Sequence, residues 1–155
     1  SVADRMWELD LEPAATFPVR HEGGQFYWLT LARSPFRITE HPFSATSCSA
    51  DLPHLRFLIK ESGDFTRRIG TLAAGAPAYV DGPRGIFTLQ QHHAAAGIGL
   101  IAGGVGIAPI LGILRQMRAN ADRRPVRLVF ANRTVGQIPY REELDGFAEI
   151  GRAHV

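Results

Sequence analysis

A glycine-rich segment in the second half of the chain could bind an anion. It reads Gly103-Gly104-Val105-Gly106-Ile107-Ala108-Pro109 and lies between an apolar run and residues with helical spacing. A strand, a glycine loop and a helix in that order bring backbone N–H groups and a helix N-terminus to one point, which favours a phosphate. The spacing differs from the G-x-G-x-x-G fingerprint of dinucleotide-binding loops. Taken alone, the segment is consistent with a pyrophosphate-binding loop or with a merely tight strand–helix turn.

A second segment, His41-Pro42-Phe43-Ser44, could hold a flat ring. It stands between two segments of β character and places an aromatic side chain beside a hydroxyl. Such a pair could stack on a planar group and hydrogen-bond the edge of that group. Taken alone, however, the segment is better explained as a proline-directed turn with Phe43 in the core.

Two further segments have residue types that suit either a phosphate or a turn. The residues from Lys60 to Thr66 end one predicted strand and open a short helix, so Gly63, Thr66 and nearby amides could meet a phosphate. The alternative is that Asp64 simply caps the helix. The segment Asp81-Gly82-Pro83-Arg84-Gly85 is a turn by the local rules.

The first part of the chain is predicted to be rich in β-strands. Alternating polar and apolar residues, or runs of β-forming residues, predict strands at 5–11, 25–31, 55–60 and 77–81. A short extended piece is expected between Pro35 and Pro42, and a short helix at 64–72. Several short strands with turn residues between them indicate a small antiparallel β-barrel or sandwich.

The pattern changes after His92-His93. Continuous apolar runs predict strands buried on both faces at 98–102 and 126–131, and helical spacing predicts helices at 107–120 and 140–147. A third strand is expected to begin at 153–155. This β-α-β-α-β order is typical of a parallel doubly wound sheet. We therefore expect a β-barrel domain at 1–93 and an α/β domain at 94–155. Because such sheets usually have about five or six strands, the second domain is expected to be incomplete at its C-terminal end.

Composition excludes several classes of protein. The 155 residues carry a net charge of +2, and among the 17 basic residues only Lys60 is a lysine. No long basic run occurs, which argues against a nucleic-acid partner. The single Cys48 excludes an internal disulfide framework and an iron–sulfur site, and no metal site is predicted because the adjacent side chains of His92 and His93 point apart.

Residues 94–114 carry no charge and are long enough to cross a bilayer. The glycines in this stretch and Pro109 disfavour one continuous helix, so a strand, a loop and a helix are the better prediction. With no signal peptide in the sequence either, the chain is expected to contain no transmembrane segment and to be cytoplasmic.

In their order and spacing, these segments resemble the ferredoxin–NADP reductase superfamily over essentially the whole chain. The usual flavin motif of that superfamily is Arg-x-Tyr-Ser/Thr, whereas its ferric reductase and NADPH oxidase branch has His-Pro-Phe-Thr/Ser, as here. Further matches are Gly63-Asp64-Phe65-Thr66, Gly82-Pro83-Arg84-Gly85, the Gly104–Pro109 segment, Asn132-Arg133-Thr134 and Tyr140-Arg141-Glu142-Glu143-Leu144.

The resemblance implies that the chain binds FAD and NAD(P)H. Phe43 would lie against the isoalloxazine, and Ser44 would act as the catalytic residue by hydrogen-bonding near flavin N5. His41, followed by Pro42, would reach the ribityl or pyrophosphate region in place of the usual arginine, with a weaker phosphate contact if its imidazole is neutral.

The other binding residues follow from the same resemblance. The flavin pyrophosphate would be held by Lys60, Gly63, Phe65 and Thr66. The nicotinamide dinucleotide would be received by Gly104, Val105, Gly106, Ile107 and Pro109, with Asn132 and Arg133 near its adenosine half.

The implied activity is hydride transfer from NAD(P)H to FAD, followed by release of single electrons to an acceptor. In the ferric reductase and oxidase branch that acceptor is haem in a membrane domain, of which the chain would be the cytoplasmic part. One alternative is a soluble flavin reductase or the electron-transfer subunit of a multicomponent oxygenase or ferredoxin system. Another is a non-catalytic member that has become an interaction module.

Overall fold

The computed structural model describes residues 1–14, 20–31 and 41–149. In chain order its strands and helices are β1 (Met6–Leu11), β2 (Phe26–Thr30), β3 (His41–Ser44), β4 (Leu55–Lys60), α1 (Asp64–Arg67), β5 (Tyr79–Arg84), β6 (Ile98–Gly103), α2 (Ile107–Ala119), β7 (Val126–Ala131) and α3 (Arg141–Glu149). Short 3-10 turns lie at Ser49–Asp51, Ile69–Thr71, Leu89–His92, Gly104–Gly106 and Val135–Gln137.

The antiparallel strands of the first part form open sheets. β1 pairs with β4, and β2 lies between β3 and β5. An isolated bridge between Ala45 and Phe57 joins β3 to β4, so the chain passes from one sheet to the other directly after Ser44. The predicted closed barrel is therefore not found in the described ranges, because closure needs hydrogen bonds between the outer edges of both sheets. The predicted extended piece after Pro35 lies outside those ranges.

β5 corrects the prediction for residues 77–85. The strand starts at Tyr79 and continues through Gly82 and Pro83 to Arg84, where a turn was predicted. Proline is tolerated because β5 is an edge strand of its sheet, where a missing N–H donor breaks no central ladder. The predicted helix at 64–72 is also divided, into α1 and the 3-10 turn Ile69–Thr71.

The second part confirms the predicted strand–loop–helix–strand order. β6 and β7 are parallel, with a register that runs from Ile98↔Val126 to Gly103↔Ala131. The third strand, predicted at 153–155, lies outside the described residues. Within the described ranges, no helix is long and apolar enough to cross a membrane.

The prediction that β6 and β7 are buried on both faces is wrong for the described residues. Leu100 and Leu128 are buried in a cluster with residues of α2 and α3. On the other face, Ile101 is 82% exposed and Val129 is 61% exposed. Successive side chains of a strand point to opposite faces, and the described helices cover only one of them.

The β1–β4 strand pair contributes side chains to two hydrophobic cores. Met6 and Leu58 pack into the cluster formed by β6, β7, α2 and α3. Phe57 and Ile59 pack into the other cluster, with Tyr27 and other residues of the antiparallel strands. The alternation of side chains along β4 therefore ties the two parts of the chain together.

The buried side chain of His21 predicts that the stability of the fold depends on pH. His21 is 3% exposed; its Nε2–H donates to the Ser47 carbonyl at 2.9 Å, and its Nδ1 accepts from the Tyr27 hydroxyl at 3.1 Å. Burial lowers the pKa of His21, although the hydrogen bond to Ser47 and the nearby carboxylates of Asp51 and Glu22 partly oppose the shift. Below the ordinary histidine pKa, about 6.5, the unfolded chain therefore binds a proton that the folded chain resists.

We expect the thermal unfolding midpoint to fall as the pH drops from 7 toward 5, and His21→Gln to flatten that dependence. His93→Gln is the matched control, because His93 is exposed. An unchanged pH profile in His21→Gln would show that His21 does not set the dependence.

Candidate functional site

The glycine segment after β6 leaves its backbone open to a ligand. Gly104 has φ 52, a left-handed conformation that favours glycine, and Gly104–Gly106 forms one 3-10 turn before α2. A Cβ atom built on Gly103, Gly104 or Gly106 would meet no atom within 4 Å. The space around the three glycines is therefore open at the start of a helix, where negative charge is stabilised.

Asn132 adds an unsatisfied polar side chain at the same edge. Gly103 and Ala131 are paired in register, so the residues that follow them, Gly104 and Asn132, leave the carboxyl ends of neighbouring parallel strands. Both polar atoms of the Asn132 side chain are buried without a hydrogen-bond partner. Such an amide is costly unless a ligand satisfies it, and ligands of parallel sheets bind at this edge. The glycine turn and Asn132 thus fit a dinucleotide, with Arg133 exposed beside them.

Two residues of the predicted dinucleotide-binding loop, Ile107 and Pro109, are fully or partly buried. Ile107 is 0% exposed in the α2 core, so its side chain is not available to a ligand. Pro109 is half-buried in the first turn of α2, where its missing N–H would have no intrahelical acceptor. Val105, by contrast, is 37% exposed.

The predicted flavin segment forms β3 and carries a cluster of rings. The ring of His41 lies 4.1 Å from that of Phe65, centroid to centroid. Phe43 and Phe65 are nearly parallel, at 17° and 6.1 Å. Pro42 is exposed, and Ser44 follows Phe43 on the strand, so it projects to the opposite side where the chain crosses between sheets. In the described structure Ser44 is therefore not part of the ring cluster.

The segment after β4 is closed by its own hydrogen bonds. Thr66 Oγ1 accepts from the Ser62 N–H at 2.7 Å and donates to the Gly63 carbonyl at 3.3 Å. The Thr66 hydroxyl is thus already engaged. The alternative in which Asp64 caps the helix is wrong, because Asp64 is the first residue of α1 and its N-cap residue is Gly63, with no side-chain cap hydrogen bond. A Cβ on Gly63 would meet no atom within 4 Å, and Lys60 forms no ion pair with any residue in the described part of the chain. Lys60 and the Gly63 backbone are therefore the groups available to an anion.

The structure thus brings the predicted residues together in two sets. The ring set comprises His41, Phe43 and Phe65, and the sheet-edge set comprises the glycine turn and Asn132. β4 is near both sets, since it packs against β3 and also approaches the Gly104–Gly106 turn. A cavity of about 1230 Å³ lies elsewhere, between the segment around His21 and the C-terminal half of α2, and contains none of the predicted site residues.

The described residues support neither a reactive cysteine nor a metal site. Cys48 is 3% exposed, and burial raises the pKa of its thiol, which disfavours the reactive thiolate. In the three described ranges, no group of three or more histidine, cysteine, aspartate or glutamate side chains could hold a metal ion.

Sequence reasoning missed the polar residues of α2. Arg115 and Gln116 are 7% and 6% exposed, and their side chains hydrogen-bond loops next to the antiparallel strands β2 and β3. Helical spacing of apolar residues such as Leu111 and Leu114 predicted the helix but not these polar contacts. The available signal was a charged residue four positions after Leu111, on the face that this spacing predicts to be buried.

Comparison with known proteins adds to this geometry. Residues 100–154 match the family described as Oxidoreductase NAD-binding domain. The chain is 37% identical over 111 residues to NADH-cytochrome b5 reductase 1 of Kluyveromyces lactis, an alignment that covers 69% of this chain and 39% of that protein. It is 34% identical over 113 residues to the reductase component of propane 2-monooxygenase from Mycolicibacterium smegmatis, covering 71% and 31%.

The fold is shared with solved structures. The flavohemoglobin from Malassezia yamatoensis, solved with bound FAD and heme, superposes with a TM-score of 0.83 and 23% identity over 100% of this chain and 42% of that one. The chain spans about two fifths of the first of these relatives and a smaller share of the second. The open glycine turn at the carboxyl edge of a parallel sheet, the antiparallel part before it, and these relatives together support a place for the chain in the ferredoxin–NADP reductase superfamily.

Proposed function

We propose that this chain is the FAD- and NAD(P)H-binding part of an oxidoreductase that passes electrons from NAD(P)H through FAD to a one-electron acceptor. The observation that carries the proposal is that the ring set and the sheet-edge set both lie near strand β4. The ring set packs beside β4, and the open glycine turn approaches the same strand. We assign FAD to residues 1–93 and the dinucleotide to residues 94–155.

On the dinucleotide side, the chain supplies amides and one unsatisfied side chain. The amides at Gly104–Gly106 and the N-terminus of α2 bind the pyrophosphate. The buried Asn132 amide and exposed Arg133 contact the adenosine half. These contacts fix the nicotinamide end relative to β4.

On the flavin side, the chain supplies a ring surface, a charge and a hydroxyl. Phe43 lies against the flavin ring, and Phe65 and His41 support it from the same cluster. Lys60 provides positive charge to the flavin pyrophosphate, and Ser44 hydrogen-bonds at the N5 edge. FAD, when bound, accepts a hydride from the dinucleotide and releases the electrons singly. The chain's contribution is orientation and exclusion of water, which requires no acid, base or metal from the protein.

Two acceptors are supported by different observations. The His41–Ser44 motif favours haem in a ferric reductase or oxidase-like membrane domain, with this chain on the cytoplasmic side. The relatives favour a redox-protein acceptor, since they are named for cytochrome b5 and for a monooxygenase reductase component.

Anaerobic mixing of the FAD-loaded full-length protein with NADH or NADPH tests the proposal. We expect the flavin absorbance to bleach with at least one dinucleotide. Subsequent addition of cytochrome b5, a ferredoxin or ferric chelate separates the two acceptors by the rate of re-oxidation. A protein that takes up no FAD, or whose FAD neither dinucleotide reduces, would contradict the proposal and favour an interaction module.

Replacing Ser44 by alanine tests the assigned N5 contact. Loss of one hydrogen bond that matters during the reaction is expected to slow flavin reduction about 10-fold, with FAD affinity changed by less than about threefold. Ser44→Thr retains the hydroxyl and should restore most of the rate. Equal rates in Ser44→Ala and the parent protein would refute the assignment.

A further inference from the structure

Helix α2 connects the glycine turn to the antiparallel sheets through one face. Its N-terminus follows the Gly104–Gly106 turn, and Gly112, Arg115 and Gln116 are spaced i, i+3 and i+4. Residues with this spacing lie on the same side of a helix. All three contact the segment 45–49, which directly follows Ser44, or the turn at Gly23-Gly24.

Arg115 holds the backbone after the flavin strand. Its Nη1–H donates to the Thr46 carbonyl at 2.9 Å. Its Nε–H and Nη2–H donate to the two Glu143 carboxylate oxygens at 2.9 and 2.6 Å. The guanidinium also lies over the Tyr140 ring, 5.3 Å from its centroid. A two-point pair with Glu143 fixes the guanidinium plane, so the contact with Thr46 has little freedom.

Gln116 holds two backbone amides of the antiparallel part. Its Oε1 accepts from the Gly23 N–H at 3.2 Å and from the Ser49 N–H at 3.0 Å. Its Nε2 donates to Ser49 Oγ at 2.7 Å and to Asn120 Oδ1 at 3.0 Å. One buried side chain thus binds two separate loops to the same helix.

The backbones between these contacts touch directly. A Cβ on Gly23 would lie 1.9 Å from the Gly112 carbonyl oxygen. A Cβ on Gly112 would lie 3.0 Å from both the Ala45 carbonyl oxygen and the Gly24 nitrogen. At these glycines the backbone of the helix packs directly against the backbone of the loops, so a shift of α2 would displace the loops as well.

A further contact joins the two parts at the start of α3. The Tyr140 hydroxyl donates to the Glu8 carboxylate of β1. Burial, and then this hydrogen bond, raise the pKa of Tyr140, so the donor proton is retained. Because Arg115 covers the Tyr140 ring, this contact and the α2 contacts belong to one network.

We propose that Arg115 and Gln116 are positioning residues that set the distance between the nicotinamide and the flavin. They bind no cofactor themselves. They hold the segment 45–49, next to Ser44, against the helix whose first residues receive the dinucleotide. Arg115 is about 12 Å along the helix from Ile107, a length over which a short helix is stiff. Displacement of reacting groups by about 1 Å can cost about 100-fold in rate.

This inference rests on the proposed function and is tested with two readouts, one of which needs no dinucleotide. The first is hydrogen–deuterium exchange of residues 45–49 in the FAD-loaded full-length protein. The second is the rate of flavin reduction at saturating dinucleotide, with the dinucleotide Kd measured separately. Arg115→Met and Gln116→Leu remove the contacts. Arg118→Met is the matched control, since Arg118 also pairs with Glu143, at 3.5 Å, but is 53% exposed.

We expect at least about 10-fold faster exchange at 45–49 and about 10- to 100-fold slower flavin reduction in both variants, with Kd within about twofold. Arg118→Met should match the parent protein in both readouts. Arg115→Lys, which keeps the charge but not the two-point geometry, should recover part of the rate.

Parent-like exchange or a parent-like reduction rate in Arg115→Met would overturn the proposal, as would a rate that recovers fully when FAD is added in excess. If Arg115→Met does not fold, Gln116→Leu decides by the same two readouts. If the parent protein is not reduced by either dinucleotide, the proposed function fails, and parent-like exchange in both variants would then also show that these side chains do not hold the segment.

Discussion

Replacing Gly106 with valine is expected to raise the dinucleotide Kd more than about 100-fold while leaving the fold intact. A side chain at this position would occupy the space through which a phosphate approaches the amides of the turn. The Cβ atom of the new side chain would meet no protein atom within 4 Å, and Gly106 has φ −62, which any residue adopts. The unfolding free energy should therefore change by less than about 1 kcal/mol. Titration of the FAD-loaded protein with NAD⁺ or NADP⁺ measures the affinity.

Gly99→Val is the matched control for this prediction. Gly99 lies in β6, is exposed, and would also place a Cβ in open space. It faces the uncovered side of the sheet, away from the carboxyl edge, so dinucleotide affinity should equal that of the parent protein. Equal affinities in Gly106→Val and Gly99→Val would mean that the dinucleotide does not bind at the glycine turn.

Replacing Phe43 with alanine is expected to weaken FAD binding about 10- to 100-fold, because stacking on an aromatic ring contributes about 1–3 kcal/mol. The parallel arrangement with Phe65 would be lost as well. Phe43 is half-buried against the antiparallel core, so a loss of about 1–3 kcal/mol in stability is also expected. FAD affinity is measured by fluorescence quenching on titration of the apoprotein, below its unfolding temperature.

Two comparisons separate stacking from stability for Phe43. Phe43→Tyr keeps the ring and should retain FAD. Phe87→Ala removes a phenylalanine that is 50% exposed and outside the ring set, and it should also retain FAD. FAD binding by Phe43→Ala at parent affinity would show that the flavin ring does not rest on this residue.

The sequence predicted the local elements of this chain better than their assembly. β6, α2 and β7 follow from continuous apolar runs, helical spacing and the glycines between them, all of which are local signals. A barrel was predicted because the sequence contains several short strands, but a barrel closes only if strands at distant edges pair with each other. Burial of Ile101 and Val129 was inferred from hydrophobicity alone, whereas their exposure depends on which elements cover the sheet.

The candidate site shows the same difference between local features, which the sequence predicts, and tertiary contacts, which it does not. The motifs predict Phe43 and the glycine turn as candidate site residues, because both need particular residue types at fixed spacing. The unpartnered amide of Asn132 could not be inferred, since burial and hydrogen bonding are tertiary properties. The contacts of Arg115 and Gln116 join residues far apart in sequence, and no local pattern specifies their partners.

The most direct test is a crystal structure of the full-length protein with FAD and an oxidised dinucleotide bound. The account predicts the isoalloxazine against the Phe43 ring and the pyrophosphate of the dinucleotide at Gly104–Gly106. The nicotinamide C4 should then lie about 3–3.5 Å from flavin N5 in one crevice beside β4. A flavin bound away from Phe43, or on the opposite side of the molecule from the glycine turn, would contradict it.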